Sequence, residues 1–441
     1  MRIRRIGRQK IKMKEVGIVI CNYNKQDFVT NCIQSVLESK FTDFEIYVVD
    51  NHSTDDSVKV ITEKYADQVN LIVTPENLGG SGGFNAGLRA ALKAGHPYLV
   101  CLDNDVLVDE NAIGELHDFL LHHPQTGMVG SKVYHMQEPD YVQQFGMKVD
   151  FSNYCVEANY LNYCEDGTMP EIVYSDAVAA CSLMVRRSVL DQIGLMPEEN
   201  FLYWDDTEWG YRCNLAGFKV ASYGKSKVLH MMGAKKESVN TFPTYYAWRN
   251  WIRFFIKFAA EEDLEHLSET FIESVFRVVY EGIYNGESKK TETVMAAYDD
   301  ALHDCMGKAS EGKIFELEHN DRLEKLLAGK KKICIVSREH KDYALALADR
   351  AKEIDPDMTV LTAFEKNCDC CIYICDYIFN LEDFSRNYIY MDVEGNIFAT
   401  EKDAEMIQNY QACYQAFLAS QKPVFLRQAK ILRQKPLAIQ R

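Results

Sequence analysis

The stretch "YLVCLDNDVLVDE", residues 98–110, passes from apolar to acidic with no intervening polar linker. Tyr98 to Leu102 reads as a buried strand, and it ends in Asp103, Asn104 and Asp105. Residues two apart in a strand point to the same side, so Asp103 and Asp105 can face one ligand. Two such carboxylates are hard oxygen ligands of the kind Mg²⁺ or Mn²⁺ takes, with phosphates and water completing the shell. A surface turn rich in Asp and Asn is the plain alternative. The position beyond a buried strand favours a site.

Working outward, the same rhythm recurs on the N-terminal side. "VGIVIC" (16–21), "FEIYVVD" (44–50) and "VNLIVT" (69–74) read as strands, with amphipathic segments between them. Alternating strands and helices predict an α/β fold with a mostly parallel sheet covered by helices on both faces. Ligands of such sheets bind beyond the carboxyl ends of the strands. Those ends carry Asn22 to Asn24, Asp50, and Asp103 with Asp105.

The glycine-rich "NLGGSGGFNAG" (77–87) reads as a loop followed by a helix to about Ala94. It lacks the third glycine of a dinucleotide fingerprint and follows the third strand, so it does not announce NAD. Gly79, Gly80, Gly82 and Gly83 would instead let the backbone approach a sugar or diphosphate closely.

A second acidic cluster lies in "ENFLYWDDTEWGYRCNLAGF" (199–218). Asp205 and Asp206 open a plausible helix, where backbone N–H groups hold a carboxylate ionised. That is what simple capping needs, and it is also what a general base needs. Tyr203, Trp204 and Trp209 flank the pair, and Trp204 is an aromatic platform for a sugar or else a core residue. "YYAWRNWIRFFIKF" (245–258) reads as a packed helix or as one lying in a membrane interface.

The chain has 441 residues, enough for two or three domains. Its formal charge of -16 argues against a general nucleic-acid binder. Basic residues nonetheless collect at the ends. Arg2, Arg4, Arg5, Arg8, Lys10, Lys12 and Lys14 begin the chain, and Arg427, Lys430, Arg433, Lys435 and Arg441 close it. Such ends suit contact with anionic lipid, or are solvated tails. Without an apolar signal core or a long apolar span, the reading is a cytoplasmic protein whose fourteen cysteines are reduced thiols. We divide the chain into a basic tail (1–14), a catalytic domain (15–262), a helical extension (263–330) and a small α/β domain (331–441).

Taken together, "VGIVICNYN", "VVDNHSTDDS", "ENLGGSGGFNAG", "CLDND", "CSLMVRRSVLDQIG" and "YWDDTEWGYR" resemble the family 2 glycosyltransferases of GT-A fold, over roughly residues 14–260. Within that family the likeness is to bacterial galactofuranosyl- and rhamnosyltransferases. The resemblance implies inverting transfer of a sugar from a nucleotide-diphosphate donor, UDP- or dTDP-linked, to a glycan or lipid-linked acceptor. Asn22, Asn24, Asp50 and Asn104 would border the donor. Asp103 and Asp105 would hold Mn²⁺ or Mg²⁺, completed by His230, and Asp206 would be the base while Asp205 positions substrate. It also implies cell-surface polysaccharide synthesis at the inner face of the membrane. The rival readings are a sugar-nucleotide nucleotidyltransferase and a non-catalytic carbohydrate-binding assembly protein. The C-terminal domain carries no nameable site and is assigned to docking or homo-oligomerisation.

Overall fold

The computed structural model describes residues 13–231, 239–317, 320–382 and 388–435. Six of the N-terminal basic residues (Arg2, Arg4, Arg5, Arg8, Lys10 and Lys12) and Arg441 lie outside that set. The chain begins with β1 (Val16–Asn22), α1 (Gln26–Leu37), β2 (Phe44–Asp50), α2 (Ser57–Tyr65), β3 (Val69–Val73), α3 (Gly79–Ala94), β4 (Tyr98–Asp103) and β5 (Val106–Val108). There follow α4 (Ala112–His122), β6 (Thr126–His135), β7 (Tyr141–Gln144), β8 (Met147–Asp150), β9 (Cys155–Ala158), β10 (Tyr163–Cys164) and β11 (Ile172–Ser175). Then come β12 (Ser182–Arg186), α5 (Arg187–Ile193), α6 (Asp205–Leu215) and β13 (Lys219–His230).

The sheet order is β10-β7-β6-β12-β4-β1-β2-β3. Strands β3, β2, β1 and β4 are parallel, and β12 enters antiparallel between β4 and β6. The α/β sheet expected from the alternation is present, but it is mixed rather than mostly parallel: β3, β2, β1 and β4 run parallel as the alternation predicts, whereas β5, β7, β10, β11 and β12 all pair antiparallel to their neighbours. Val16 to Ile20 and Tyr98 to Leu102 are buried along their whole runs, as central strands covered on both faces must be. Asn22 lies opposite Asp50, and Cys21 opposite Asp103, so the polar ends of three strands sit level. One long strand, β13, pairs with β6 and with β5, setting His230 opposite Val106. That register carries the histidine to the residue after Asp105.

A helical segment follows: α7 (Phe242–Phe258), α8 (Leu264–Asn285), α9 (Ser288–His303) and α10 (Arg322–Leu327). The α7 stretch does not lie in an interface. Tyr245, Tyr246, Arg249 and Phe255 are fully buried, and Lys257 turns inward to Glu208 at 2.6 Å. Among the described residues, no helix is long and apolar enough to cross a membrane.

The last part builds β14 (Lys332–Ser337), α11 (Lys341–Ile354), β15 (Thr359–Leu361), β16 (Cys370–Cys375), β17 (Ile389–Asp392), β18 (Ile397–Phe398) and α12 (Glu401–Arg433). Its own sheet has the order β15-β14-β16-β17-β18, parallel except for the final pair. The end of α12 returns to the helical segment, where Phe425, Ala429 and Leu432 join a core with Ile252, Phe255 and Phe271. Two of the basic C-terminal residues are consumed there. Arg433 donates to the carbonyls of Ile256 and Ala259, and Lys435 pairs with Asp304. Cys334 and Cys371, in register on adjacent strands, are joined as a disulfide, a correction to the expectation of reduced thiols throughout.

Helix α7 also holds the loop that leads into Asp205. Asn250 Nδ2 lies 2.9, 2.8 and 3.0 Å from the carbonyls of Asn200, Leu202 and Tyr203. Arg249 donates to the Asn200 carbonyl at 2.9 Å. Asn250→Ala removes the donor to the Leu202 and Tyr203 carbonyls and leaves the Asn200 carbonyl to Arg249 alone, so we expect a loss of about 1–3 kcal/mol in urea unfolding. A change within experimental error would show that the loop holds itself.

Candidate functional site

At the carboxyl ends of β1, β2 and β4 the side chains form one continuous network. Asn104 Nδ2 donates to Asn22 Oδ1 at 2.8 Å, and Asn22 Nδ2 donates to Asp50 Oδ2 at 3.0 Å. The other Asp50 oxygen accepts the Ser53 N–H at 2.9 Å. Asn24 is fixed from both sides, its N–H donating to Ser53 Oγ and its Oδ1 accepting the Thr54 N–H. Asn22, Asp50 and Asn104 are buried, so these groups build the floor of the cleft, with Asn24 nearer its mouth.

Asp103, Asp105 and His230 converge, with ligand atoms all within 4.8 Å of one another. His230 Nε2 lies 3.3 Å from Asp105 and 3.7 Å from Asp103. The ring is turned that way by Gln143, whose Oε1 lies 2.7 Å from Nδ1. Gln143 is itself buried, on β7, and its amide reaches His135 on the other side. Lys25 Nζ takes the second Asp105 oxygen at 2.6 Å.

The charges respond to this crowding. Burial pushes the Asp103 carboxyl up to about 6, against the pull of His230, and the charges of Asp105 and Asp206 push the same way. For Asp105 burial also raises the pKa, but hydrogen bonds from His230 and Lys25 outweigh it and bring it below the usual range. Burial alone would lower the His230 imidazole; its Asp105 hydrogen bond and the Asp103 charge raise it instead. Two carboxylates and an imidazole aimed at one point fit a hard divalent cation, and a histidine braced through its other nitrogen is how such ligands are usually held.

The second acidic pair lies close to the first, near enough that the Asp206 charge acts on Asp103 and the Asp103 charge on Asp205. Asp206 Oδ2 accepts the Ala180 N–H at 3.2 Å, and the next carbonyl, of Cys181, accepts the Asp103 N–H at 3.2 Å. Adjacent residues of one turn thus bond to the Asp206 carboxylate and to the backbone of Asp103. Asp206 Oδ1 accepts the Thr207 N–H at 2.7 Å. Asp205 and Asp206 are the first two residues of α6, with Trp204 in the capping position. Burial raises both carboxyls above their ordinary values, and for Asp205 the Asp206 charge adds to the rise. Phe201, Tyr203 and Trp204 all have positive φ, a backbone conformation uncommon for bulky side chains.

The glycines do something other than form a loop. All of 79–94 is helical, and only Gly79 among the first turns has positive φ. A Cβ on Gly79 would sit 2.0 Å from the Phe201 carbonyl oxygen, so the glycine lets α3 and the Asp205 loop touch. Gly80 lies beside Asp205, where a Cβ would come within 3.4 Å of its carboxylate. Gly82 and Gly83 face Leu78 and the Cys21–Asn51 pair, a packing role that composition cannot separate from a binding one.

Trp204 is half in the core, its ring 5.3 Å from that of Phe254. Its other side lines a cleft of about 560 Å³ with Val156, Tyr203, Thr207, Trp248 and Lys290. Lys25, Gln143 and Trp248 were not singled out as site residues from sequence. The only trace of Lys25 was its place directly after Asn24, and Gln143 had no signal at all.

Three comparisons bear on the chain. The model of the family described as Glycosyl transferase family 2 matches residues 17–194. The galactofuranosyltransferase GlfT2 of Mycolicibacterium smegmatis is 24% identical over 191 residues, covering 40% of this chain and 29% of that protein. WfaP of Escherichia coli, a UDP-Glc:alpha-D-GlcNAc-diphosphoundecaprenol beta-1,3-glucosyltransferase, is 22% identical over 234 residues, or 53% of this chain and 77% of its own. Several relatives are thus matched over less than a third of their length: the chain spans 28% of the Staphylococcus aureus poly-beta-1,6-N-acetyl-D-glucosamine synthases, at 25% identity. A crystal structure of GalNAc-T7 with UDP, GalNAc and Mn²⁺ is similar over 59% of this chain and 51% of that one, at 14% identity and TM-score 0.47.

Proposed function

Residues 17–194 of this chain belong to a family 2 glycosyltransferase domain, and from that premise we propose an inverting, metal-dependent sugar transfer from a nucleotide-diphosphate donor to a glycan hydroxyl. The fold is GT-A, and galactofuranose or rhamnose is the favoured sugar. The acceptor is a glycan, lipid-linked during cell-surface polysaccharide assembly. The observation that supports this reading is the shared turn at 180–181, whose N–H is bonded to the Asp206 carboxylate and whose carbonyl is bonded to the Asp103 backbone.

Asn22, Asn24, Asp50 and Asn104 would seat the nucleoside side of the donor, as a hydrogen-bonded floor. Asp103, Asp105 and His230 would hold Mn²⁺ or Mg²⁺, which supplies positive charge beside the departing diphosphate. Asp205, next to Gly80, would orient the donor. Asp206 would take the proton from the acceptor hydroxyl as that oxygen attacks from the opposite face. Its carboxylate is held by two backbone N–H groups, which fixes its direction. Trp204 and the cleft beside it would receive the acceptor, and the described part of the basic C-terminus leaves Arg427 and Lys430 exposed for an anionic surface.

The test is nucleotide release from a panel of UDP- and dTDP-sugars with Mn²⁺, with and without EDTA. We expect EDTA and Asp103→Ala to abolish release, and Asp206→Asn to cut kcat by about 10²- to 10⁴-fold with donor binding nearly kept. A base whose pKa is raised is protonated sooner as pH falls. The acid limb of kcat/KM should therefore lie above the ordinary carboxylate range, near 4, and vanish in Asp206→Asn. Release that is indifferent to EDTA would favour chemistry without a metal. Donor binding with no release by any sugar would favour the carbohydrate-binding alternative.

Gln143 gives an independent check on the metal site. Gln143→Leu removes the acceptor that orients His230, and outer partners of metal ligands typically contribute about 10–100-fold in affinity. Titration of Mn²⁺ followed by electron paramagnetic resonance should show a loss of that order, with the thermal midpoint little changed and Gln143→Glu retaining most of the affinity. Unchanged Mn²⁺ binding in Gln143→Leu would remove His230 from the ligand set.

A further inference from the structure

Lys25 occupies an unusual position for a residue at the mouth of a cation site. It follows Asn24, and both have left-handed backbone, with φ of 57° and 60°. The turn is tied down through the Asn24 N–H to Ser53 and the Asn24 carboxamide to Thr54, so the lysine stem leaves the backbone in a set direction. Its ammonium ends 2.6 Å from Asp105 Oδ2, while His230 takes Oδ1. Both oxygens of a carboxylate whose side chain is only 6% exposed are thereby occupied. The Lys25 side chain is itself 44% exposed, so it has open space to move into.

A buried carboxylate without a counter-charge is costly, and an ammonium on a flexible stem satisfies it. A divalent cation arriving at Asp103, Asp105 and His230 would repel that ammonium. A diphosphate bound to the cation still carries negative charge on its outer oxygens and offers the displaced lysine a new partner. We infer that Lys25 is a placeholder cation: it neutralises Asp105 in the empty cleft, yields that carboxylate to the metal, and then binds the donor's diphosphate. This rests on the metal-dependent reading above and extends it to a residue outside the acidic clusters.

The inference makes opposite predictions for two ligands. In Lys25→Met, which keeps length without charge, the metal meets no competitor, so Mn²⁺ alone should bind about tenfold more tightly. With Mn²⁺ saturating, inorganic pyrophosphate should bind about tenfold more weakly, each being the size of change that one ion pair of about 1.4 kcal/mol produces. Both are measured by isothermal titration calorimetry on the full chain, with Lys25→Arg as a charged control that keeps the wild-type order. A purely structural lysine would not shift the two affinities in opposite directions. Mn²⁺ affinity that is unchanged or weaker in Lys25→Met, or pyrophosphate affinity that is unchanged, overturns the placeholder role and leaves the metal site standing. No Mn²⁺ binding by either protein overturns both.

Discussion

The turn at Ala180–Cys181 is the constraint on which the site depends. Its N–H holds Asp206 and its carbonyl holds the backbone of Asp103, so two acidic residues from distant parts of the chain are tied to one turn. Like charges collected in a buried place repel, and burial raises Asp103, Asp205 and Asp206 together. A fold tolerates such a cluster only when cations and N–H groups offset it. Lys25, His230 and the first backbone N–H groups of α6 supply that compensation here.

Around this cluster the positions are set by strand register and by the loop's hydrogen bonds. Parallel strands bring Asn22, Asp50 and Asp103 level, and β13 delivers His230 by register alone. The helical segment contributes from behind, since Asn250 and Arg249 hold the loop before Asp205. Glu208, one turn into α6, is buried between Arg212 and Lys257 and ties that helix to α7. The aspartates thus stand between two cores, one under the sheet and one among the helices.

Much of this was legible in the residues. The strands around "VGIVIC", "FEIYVVD" and "YLVCLD" announce themselves because buried parallel strands must be continuously apolar, and the acidic ends stand out against them. The glycine run reads as a loop and is instead the start of a helix, because a helix that packs closely on β1 and on the Phe201 loop needs the same small residues as a phosphate-binding loop. Gln143 was invisible because its role comes from strand pairing far along the chain. The Cys334–Cys371 bond was also hidden, since it depends on the register of β14 against β16. Asp205 and Asp206 were readable as the start of a helix, but nothing local says which wall of the molecule that helix faces.

The central claim is that one cation and one diphosphate sit between the two acidic groups. Anomalous scattering from crystals soaked in Mn²⁺ and UDP tests it most directly. The account predicts a single strong peak coordinated by Asp103, Asp105 and His230, with the diphosphate beside it and the Asp206 carboxylate facing the open side where an acceptor would enter. A peak elsewhere, or a nucleotide bound away from the ends of β1, β2 and β4, would contradict it.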